Sequence, residues 1–252
     1  MSVMPAKIVL FVGPTLAGEA AVLAPFAELL PPAQQGDLYR AVRRGANVIG
    51  LVDGYFDQVN SVAHKEVLAA MAGGVHVLGA ASMGALRAVE LCDFGMEGVG
   101  AIFEQYRCGE LEDDDEVALL HAGPEEGYRA FSEAMVDIRA TLAAAREQCV
   151  VDAALHDLLV RTAKSLFYAD RAWPLILDGA RTNGAPPSDL DRLRRFLETG
   201  RVRQKRADAL ALVDRLAAMN ATPIAPKVVR YFFSHTDAWE ALRRRADATG
   251  GE

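Results

Sequence analysis

The chain has 252 residues, is 51% hydrophobic and 24% charged, and carries a net charge of −7 at pH 7. This length and apolar content can form a full hydrophobic core, which excludes a fibrous or disordered chain. No uncharged apolar run reaches the roughly 20 residues of a membrane span, and the N-terminus leads into a strand pattern rather than a signal peptide. We therefore expect a cytoplasmic protein that has neither a membrane nor a nucleic acid as its partner.

Three continuous apolar runs near the N-terminus have the pattern of strands that are buried on both faces of a parallel sheet, namely Lys7–Gly13, Asn47–Val52 and Val75–Leu78. The sequence also allows a short strand near Leu29 and Leu30, which Pro31 and Pro32 limit. Helical patterns near 18–29, 36–45, 61–73 and 83–92 separate these runs. The alternation predicts an α/β fold with a Rossmann-like parallel sheet and flanking helices.

Helical patterns fill most of the chain beyond residue 95, at 98–108, 125–147, 151–179, 188–199, 202–219 and 226–247. We expect an α/β core domain over residues 1–148 and an all-helical C-terminal region over residues 149–252. The two halves of the chain differ in charge, since residues 1–124 carry 7 basic and 16 acidic side chains and residues 125–252 carry 20 basic and 18 acidic ones. Seven basic residues crowd into positions 192–206, which predicts either a solvated helix face or a docking surface for an acidic partner or nucleotide.

The acidic run from Glu110 to Glu116 offers oxygen ligands for a hard cation. It lacks the glycine and the spacing of a calcium-binding loop, so the pattern favours a helix cap or a solvated turn. We predict no metal site and no cofactor. The chain has an odd number of cysteines, and they are widely spaced, at Cys92, Cys108 and Cys149. This pattern argues against a disulfide framework and favours buried thiols.

The strand that begins at Val75 ends in a small-residue turn, Gly79-Ala-Ala-Ser82, and a helical pattern follows at once. This turn resembles the Gly-x-Ser-x-Gly nucleophile elbow, with Ala80 in place of the first glycine and Gly84 as the second. A helix N-terminus offers free N–H groups and a partial positive charge, which suits a reacting hydroxyl and a developing oxyanion. Ser82 is therefore a candidate nucleophile and Met83 and Gly84 are candidate oxyanion donors, although serine is also a common helix cap.

Ligands of open parallel sheets lie beyond the carboxyl ends of the strands. We therefore expect three segments to lie around one cleft: Gly13-Pro-Thr15, Asp53-Gly-Tyr-Phe56 and the Ser82 turn. Thr15, Asp53 and Tyr55 are candidate residues for orienting a substrate.

The segment before the next helix places His64 and Lys65 near its first turn, with Ser61 as the expected cap. Either side chain could accept the proton of Ser82. We rank Lys65 first and His64 second as the base. The alternative is that Lys65 forms an ion pair with a neighbouring carboxylate and that His64 caps the helix or packs in the fold. Arg87 is a candidate for binding an acidic group.

Several motifs occur in the order found in TfuA-like proteins, over about residues 8–145: Gly13-Pro-Thr-Leu16, Leu30-Pro-Pro-Ala33 with Gly36-Asp-Leu-Tyr39, Asp53-Gly-Tyr-Phe56, His64-Lys65-Glu66, Gly79–Ala88 and Leu111–Val117. The chain is thus similar to the TfuA-like family. The resemblance implies a role beside a YcaO enzyme, an ATP-dependent cyclodehydratase or thioamidase that activates a peptide amide, in converting backbone amides to thioamides.

The resemblance also implies that the sulfur comes from a ThiS-like carrier protein with a C-terminal thiocarboxylate. Release of that sulfur is acyl chemistry, which a serine and a base at a helix N-terminus can perform. We therefore expect a serine-dependent thiocarboxylate hydrolase. The alternatives are a non-catalytic adaptor that docks the carrier and YcaO, and an amidase or transferase that acts on a small molecule. A homo-oligomer also remains open.

Overall fold

A computed structural model describes residues 5–19, 22, 26–55 and 59–249. The strands are β1 (Ile8–Phe11), β2 (Ala27–Leu30), β3 (Val48–Leu51), β4 (His76–Ala80) and β5 (Glu97–Val99). The helices are α1 (Asp37–Arg43), α2 (His64–Ala72), α3 (Met83–Leu91), α4 (Ala101–Arg107), α5 (Met135–Glu147), α6 (Ala153–Ser165), α7 (Trp173–Thr182), α8 (Pro187–Phe196), α9 (Gln204–Asn220) and α10 (Asp237–Thr249).

The five strands form one parallel sheet in the order β2-β1-β3-β4-β5, with Ile8 of β1 opposite Val48 of β3. The chain leaves β1 towards one side of the sheet and returns to β3 on the other, so a topological switch point lies between these two strands. Helices flank the sheet and the C-terminal part is helical. The predicted fold class is therefore confirmed.

Strands β1 and β3 are buried along their whole length, as their continuous apolar sequences predict. Helix α9 covers one face of the sheet, where Leu212 and Leu216 join a core cluster with Ile8 and Leu10. The spacing of four places both leucines on one side of the helix. A helix from the distant C-terminal part thus completes the core of the N-terminal sheet.

The chain forms two compact units: Met1–Leu111 with Arg206–Glu252, and Glu112–Lys205. The second unit has its own apolar core from α5, α6, α7 and α8, including Ile138, Leu159, Ile176 and Leu193. The expected domain boundary near residue 148 remains a prediction. None of the helices in the described part of the chain is both long and apolar enough to cross a bilayer.

Three of the predicted helices differ from those in the structure. The region 125–134 is not helical beyond a short 3₁₀ turn at Pro124–Glu126, because Gly127 ends the turn in the left-handed conformation. The helix expected over 151–179 is broken between Ser165 and Trp173, and Pro174 begins the next helix. The last helix begins at Asp237 rather than near 226, since the β-branched and aromatic segment 228–233 is not helical.

The strand considered near Leu29 is present as β2, so the helical pattern predicted over 18–29 was wrong at its end; residues 20, 21 and 23–25 lie outside the described part. Strand β5 was not predicted, because Glu97-Gly-Val99 is too short to show a period. The expectation of buried thiols was wrong for Cys108 and Cys149, which are exposed, and Cys92 is half-buried.

Candidate functional site

The loop that follows β1 is held by the carboxylate that follows β3. Asp53, which is 2% exposed, accepts hydrogen bonds on Oδ2 from the backbone N–H groups of Gly13 at 2.8 Å and Thr15 at 3.0 Å. The Thr15 hydroxyl donates to Asp53 Oδ1 at 2.6 Å. Thus Thr15 and Asp53 meet at the carboxyl edge of the sheet as the strand-end rule predicted, and they are hydrogen-bond partners of each other.

A second set of backbone bonds joins the loops after β2 and β3. Ala33 N–H donates to Asp53 O at 2.9 Å, and Tyr55 N–H donates to Ala33 O at 3.1 Å. The backbone of Gly54 lies so close to Met83 that a Cβ there would overlap the methionine side chain. Tyr55 is half-buried beside these contacts, and Phe56 lies outside the described residues. The loops after β1, β2, β3 and β4 therefore form one continuous edge.

Strand β4 ends in a tight turn centred on Ala81. This residue has φ of +65°, and Ser82 N–H donates across it to Ala80 O at 2.8 Å. A three-residue turn with positive φ is rare and strained for a residue with a Cβ. In the nucleophile elbow the serine itself occupies the strained position. Here Ala81 has that position, and Ser82 follows it as the N-cap of α3.

The hydroxyl of Ser82 does not cap α3, and it makes no hydrogen bond with the described residues. The side chain is only 3% exposed. The N–H of Met83, the first residue of α3, likewise has no hydrogen-bond partner among the described residues. A hydroxyl and a backbone donor thus stand next to each other at the positive end of a helix dipole.

Gly84 allows α3 to approach the sheet closely. A Cβ on this residue would overlap the carbonyl oxygen of Leu51, and a Cβ on Gly79 would overlap the carbonyl oxygen of Gly84. The N–H of Gly84 donates to Val52 O at 3.1 Å, so this donor is already used within the fold. Of the two expected oxyanion donors, only Met83 N–H has no partner within the described structure.

The two candidate bases have other partners. His64 Nε2 lies 2.8 Å from Glu90 Oε2, and Glu90 follows Ser82 by eight residues, about 12 Å along a helix axis. Lys65 Nζ lies over the ring of Phe233, 4.8 Å from its centroid. Lys65 forms no ion pair with the residues that the structure describes, whereas His64 is tied to a carboxylate.

Arg87 braces the loop that precedes α2. Its Nε donates to Val62 O at 2.8 Å, and one terminal nitrogen donates to Ser61 Oγ at 3.0 Å. Its other terminal nitrogen lies 2.6 Å from Glu90. Ala63, and not Ser61 as expected, is the N-cap of α2. The guanidinium predicted to bind an acidic group of a substrate therefore has internal partners on all sides.

Glu66 was not among the predicted site residues, although it is a buried carboxylate at this edge. It accepts N–H groups from Gly36 at 2.8 Å and from Ala63 at 3.2 Å. Burial raises its pKa above the ordinary value, against the lowering effect of these N–H donors. Its position as the third residue of α2 is the sequence signal for this capping role.

The acidic run has cationic partners within the second unit. Lys164 bonds to Asp115 and lies 3.0 Å from both Asp113 and Glu116. Arg139 binds both oxygens of Glu116 at 2.9 Å. Burial opposes ionisation of Asp115, but hydrogen bonds from Lys164 and from Arg171 hold its pKa below the ordinary value. The three carboxylates offer ligand atoms within 4.8 Å of one another, and Lys164 contacts all three.

Four of the seven basic residues in positions 192–206 form ion pairs. Arg192 pairs with Asp189 at 3.1 Å and Arg194 with Asp191 at 2.5 Å, both within α8. Arg201 and Arg206 pair with Glu133 and Glu19, respectively. The two pairs within α8 are those expected of a solvated helix face, whereas the other two join distant parts of the chain.

A polar cavity of about 370 Å³ adjoins the loop after β2. The carboxamides of Gln34, Gln35 and Asn60 line it together with the guanidinium groups of Arg40 and Arg245. Gln34 follows Ala33, which bridges to Gly54. The cavity therefore lies beside the same loops that form the strand-end edge.

Comparison with known proteins gives one family. The sequence profile described as TfuA-like protein matches residues 53–172. This segment begins at Asp53 and includes α2, the Ser82 turn and the acidic run. No curated protein matches the chain.

Proposed function

Because this chain is a TfuA-like protein over residues 53–172, we propose that it acts beside a YcaO enzyme in the thioamidation of a peptide or protein backbone. Its own step is the release of sulfide from the thiocarboxylate of a ThiS-like carrier protein. The family supports the association with YcaO thioamidation systems. The hydrolytic step and the carrier belong to the proposal.

The main support for the hydrolytic step is the environment of the Ser82 hydroxyl. Its hydroxyl has no partner among the described residues, it follows the strained Ala81, and it stands beside the unpaired Met83 N–H at the start of α3. A preorganised backbone donor beside a nucleophile stabilises the oxyanion that forms when the nucleophile attacks a carbonyl carbon. Backbone strain is commonly retained at sites where it serves a reaction.

The proposed reaction is balanced without a further reagent. Ser82 Oγ attacks the thiocarboxylate carbon, and the new oxyanion accepts a hydrogen bond from Met83 N–H. The carbon–sulfur bond then breaks, and the serine proton leaves with the sulfur as hydrosulfide. Water hydrolyses the acyl-serine to a carboxylate and restores the hydroxyl, which makes the overall step a hydrolysis.

Lys65 is the first candidate for relaying the proton, since it pairs with no carboxylate among the described residues; it would accept the proton as the neutral amine, released from the ring of Phe233. Its long stem can carry the nitrogen to another position without breaking an ion pair. His64 ranks second because its ring is bonded to Glu90, two helical turns from Ser82. In this proposal Thr15 and Asp53 shape the loop after β1, and Tyr55 forms part of the same edge.

The polar cavity beside this edge supports binding of an extended peptide tail. Carboxamides such as those of Gln34, Gln35 and Asn60 can pair with both the N–H and the C=O groups of a peptide. We therefore place the residues that precede the thiocarboxylate in this cavity, and the thiocarboxylate itself at Ser82.

The test measures sulfide released from a thiocarboxylated ThiS-like carrier. Ser82→Ala is expected to lower the rate by at least about 10²-fold. Ser61→Ala is the matched control, because its hydroxyl bonds to Arg87 at the same edge and is expected to leave the rate within a few-fold. Lys65→Met and His64→Gln then identify the base. A Ser82→Ala protein that releases sulfide at the rate of the unmodified chain disproves the assignment.

The competing function is a non-catalytic adaptor that binds the carrier and YcaO together and raises their effective concentration. The specific observation in its favour is that His64 and Lys65 contact Glu90 and Phe233. An adaptor predicts that Ser82→Ala supports thioamidation fully in the reconstituted system. The hydrolase predicts that Ser82→Ala abolishes thioamidation while the complex with YcaO still forms.

A further inference from the structure

An aromatic cavity of about 580 Å³ lies against α1 and α2, and one of its lining rings, Phe233, is the ring that Lys65 contacts. Helices α1 and α2 form one side of it, and the extended segment 228–236 with the start of α10 forms the other. The segment is anchored to the fold, because Lys227 N–H donates to Gly74 O at 2.8 Å and the Tyr231 hydroxyl donates to Leu68 O at 2.7 Å. The wall that it forms is therefore fixed in place.

The aromatic side chains of this cavity pack against one another in edge-to-face geometry. The ring centroid of Trp239 lies 5.9 Å from that of Tyr39 and 5.5 Å from that of Phe233. Such contacts preserve the ring orientations, so the cavity is formed before a ligand arrives. Its volume is in the range of small-molecule sites, which are mostly apolar with a few polar groups.

Phe232 differs from the other rings, since it is 91% exposed at the margin of the cavity. The neighbouring Val228 is 72% exposed. A large ring that the fold leaves in water gains free energy only when a ligand covers it. The arrangement gives a preformed apolar wall and an uncovered ring that can close over an occupant.

One guanidinium at the cavity has no anionic partner among the described residues. Arg43 lines the cavity and forms no ion pair or hydrogen bond with the residues that the structure describes. Arg243 lies over the ring of Tyr39 and pairs with Glu240. The nearby carboxylates have donors: Glu66 binds backbone N–H groups, Glu240 binds Arg243 and His235, and Asp247 accepts the Tyr39 hydroxyl.

We propose that this cavity is a binding site for a small organic anion with a flat apolar body, such as an aromatic carboxylate or sulfonate. The apolar body packs against Phe233 and Trp239 and is covered by Phe232. The acid group meets the guanidinium of Arg43. The ring of Phe233 also contacts Lys65, the first candidate base, but the test measures dye binding and not sulfide release, so each proposal can fail without the other.

The experiment compares two dyes that differ by one charge. The anion 8-anilinonaphthalene-1-sulfonate is titrated into the full chain beside its uncharged counterpart, N-phenyl-1-naphthylamine. The chain contains two tryptophans, so Trp173→Phe leaves Trp239 as the only donor for energy transfer to the bound dye. Saturable transfer from Trp239 and tighter binding of the sulfonate are expected.

Two variants with matched controls test the apolar contact with Phe232 and the charge of Arg43. Phe232→Ala is expected to raise the Kd of both dyes about 5- to 10-fold, whereas Phe167→Ala, at a ring that is 62% exposed in the other unit, leaves it unchanged. Arg43→Gln is expected to raise the Kd of the sulfonate about 2- to 5-fold without affecting the neutral dye. Arg44→Gln, at a neighbouring exposed arginine outside the cavity lining, controls for overall charge.

Several outcomes overturn the proposal. They are equal affinity for the two dyes, an equal effect of Arg43→Gln and Arg44→Gln, and the absence of saturable transfer from Trp239. If Trp173→Phe does not fold, Trp239→Phe in the unaltered chain replaces it. Transfer that persists in Trp239→Phe then places the dye elsewhere and contradicts the proposal equally.

Discussion

The hydroxyl of Thr15 donates a hydrogen bond of 2.6 Å to Asp53 Oδ1, and this bond joins the loops that follow two adjacent parallel strands. Together with the N–H groups of Gly13 and Thr15, it gives the buried carboxylate three donors from a single loop. These donors lie at the switch point between β1 and β3, where α/β sheets bind their ligands. The two residues therefore determine the shape of this edge of the sheet.

Replacement of Asp53 by asparagine is expected to destabilise the fold by about 2–4 kcal/mol. The amide loses the charge that strengthens the two N–H bonds to Oδ2, and its NH₂ group, in the place of Oδ1, cannot accept the proton of the Thr15 hydroxyl. Thr15→Val removes only the hydroxyl bond and is expected to cost about 1–2 kcal/mol. Urea unfolding measures both values. Equal midpoints for Asp53→Asn and the unmodified chain would show that the carboxylate has no such role.

Glycine at position 81 is expected to stabilise the protein by about 0.5–1 kcal/mol. Its φ of +65° is strained for alanine and open to glycine, and the relief exceeds the entropy that glycine adds to the unfolded chain. Ala85→Gly, within the first turns of α3, is the control and is expected to destabilise by about 1 kcal/mol. Thermal unfolding compares the two variants. A loss of stability in both would contradict strain at Ala81.

The stability of the second unit should vary with pH through Asp137. Burial raises its pKa to about 6, against lowering effects from Lys205, whose backbone N–H donates to its carboxylate at 2.9 Å. The folded state therefore binds a proton more tightly than the unfolded state. Between about pH 4 and pH 6 the contribution of Asp137 to the free energy of unfolding decreases as the pH rises, by about 2–3 kcal/mol in total.

Asp137→Asn tests this dependence, because the amide retains an acceptor for Lys205 N–H and cannot ionise. The difference in unfolding free energy, unmodified chain minus variant, is expected to decrease from pH 4 to pH 6 and then to level off. Urea unfolding followed by the fluorescence of Trp173 provides the values. A difference that stays constant across this range would rule out a raised pKa.

Removal of the buried guanidinium of Arg171 is expected to be costly. This side chain is 0% exposed and donates to the carbonyl oxygens of Asp115 at 2.7 Å and Ala163 at 3.3 Å, besides binding the Asp115 carboxylate. Arg171→Met should destabilise the fold by about 3–5 kcal/mol, since it leaves buried acceptors unpaired. Adding Asp115→Asn should recover part of that loss. Additive losses in the double variant would show that the two side chains are not coupled.

The strands and the strand-end motifs could be predicted from the sequence because their signals are local. Continuous apolar runs gave β1, β3 and β4, and the parallel-sheet rule brought Thr15 and Asp53 to one edge. Strand β5 and the break between α6 and α7 were missed. A strand of three residues has no measurable period, and the local sign of the break, Pro174 in the first turn of α7, was overlooked.

The sequence indicated residues for the candidate site but did not show which partners their side chains would contact. Ser82 lies at the helix N-terminus as the turn pattern predicted. Local spacing could not show that Gly84 N–H is bonded to Val52, that His64 reaches Glu90, or that Lys65 lies over Phe233. The last of these joins residues that are 168 positions apart, and it depends on where the C-terminal segment crosses α2.

The sequence by itself determined the α/β class, the resemblance to a family and the position of a serine at a strand-to-helix turn, because apolar periodicity, turn residues and motif order are properties of neighbouring residues. Only the tertiary structure decided that the strain lies at Ala81, that Asp53 accepts three hydrogen bonds from the loop after β1, and that α9 packs on the sheet. These outcomes depend on which distant segments form hydrogen bonds with each other and bury each other's apolar surface. A pattern read along the chain carries no information about which distant partner a side chain will find.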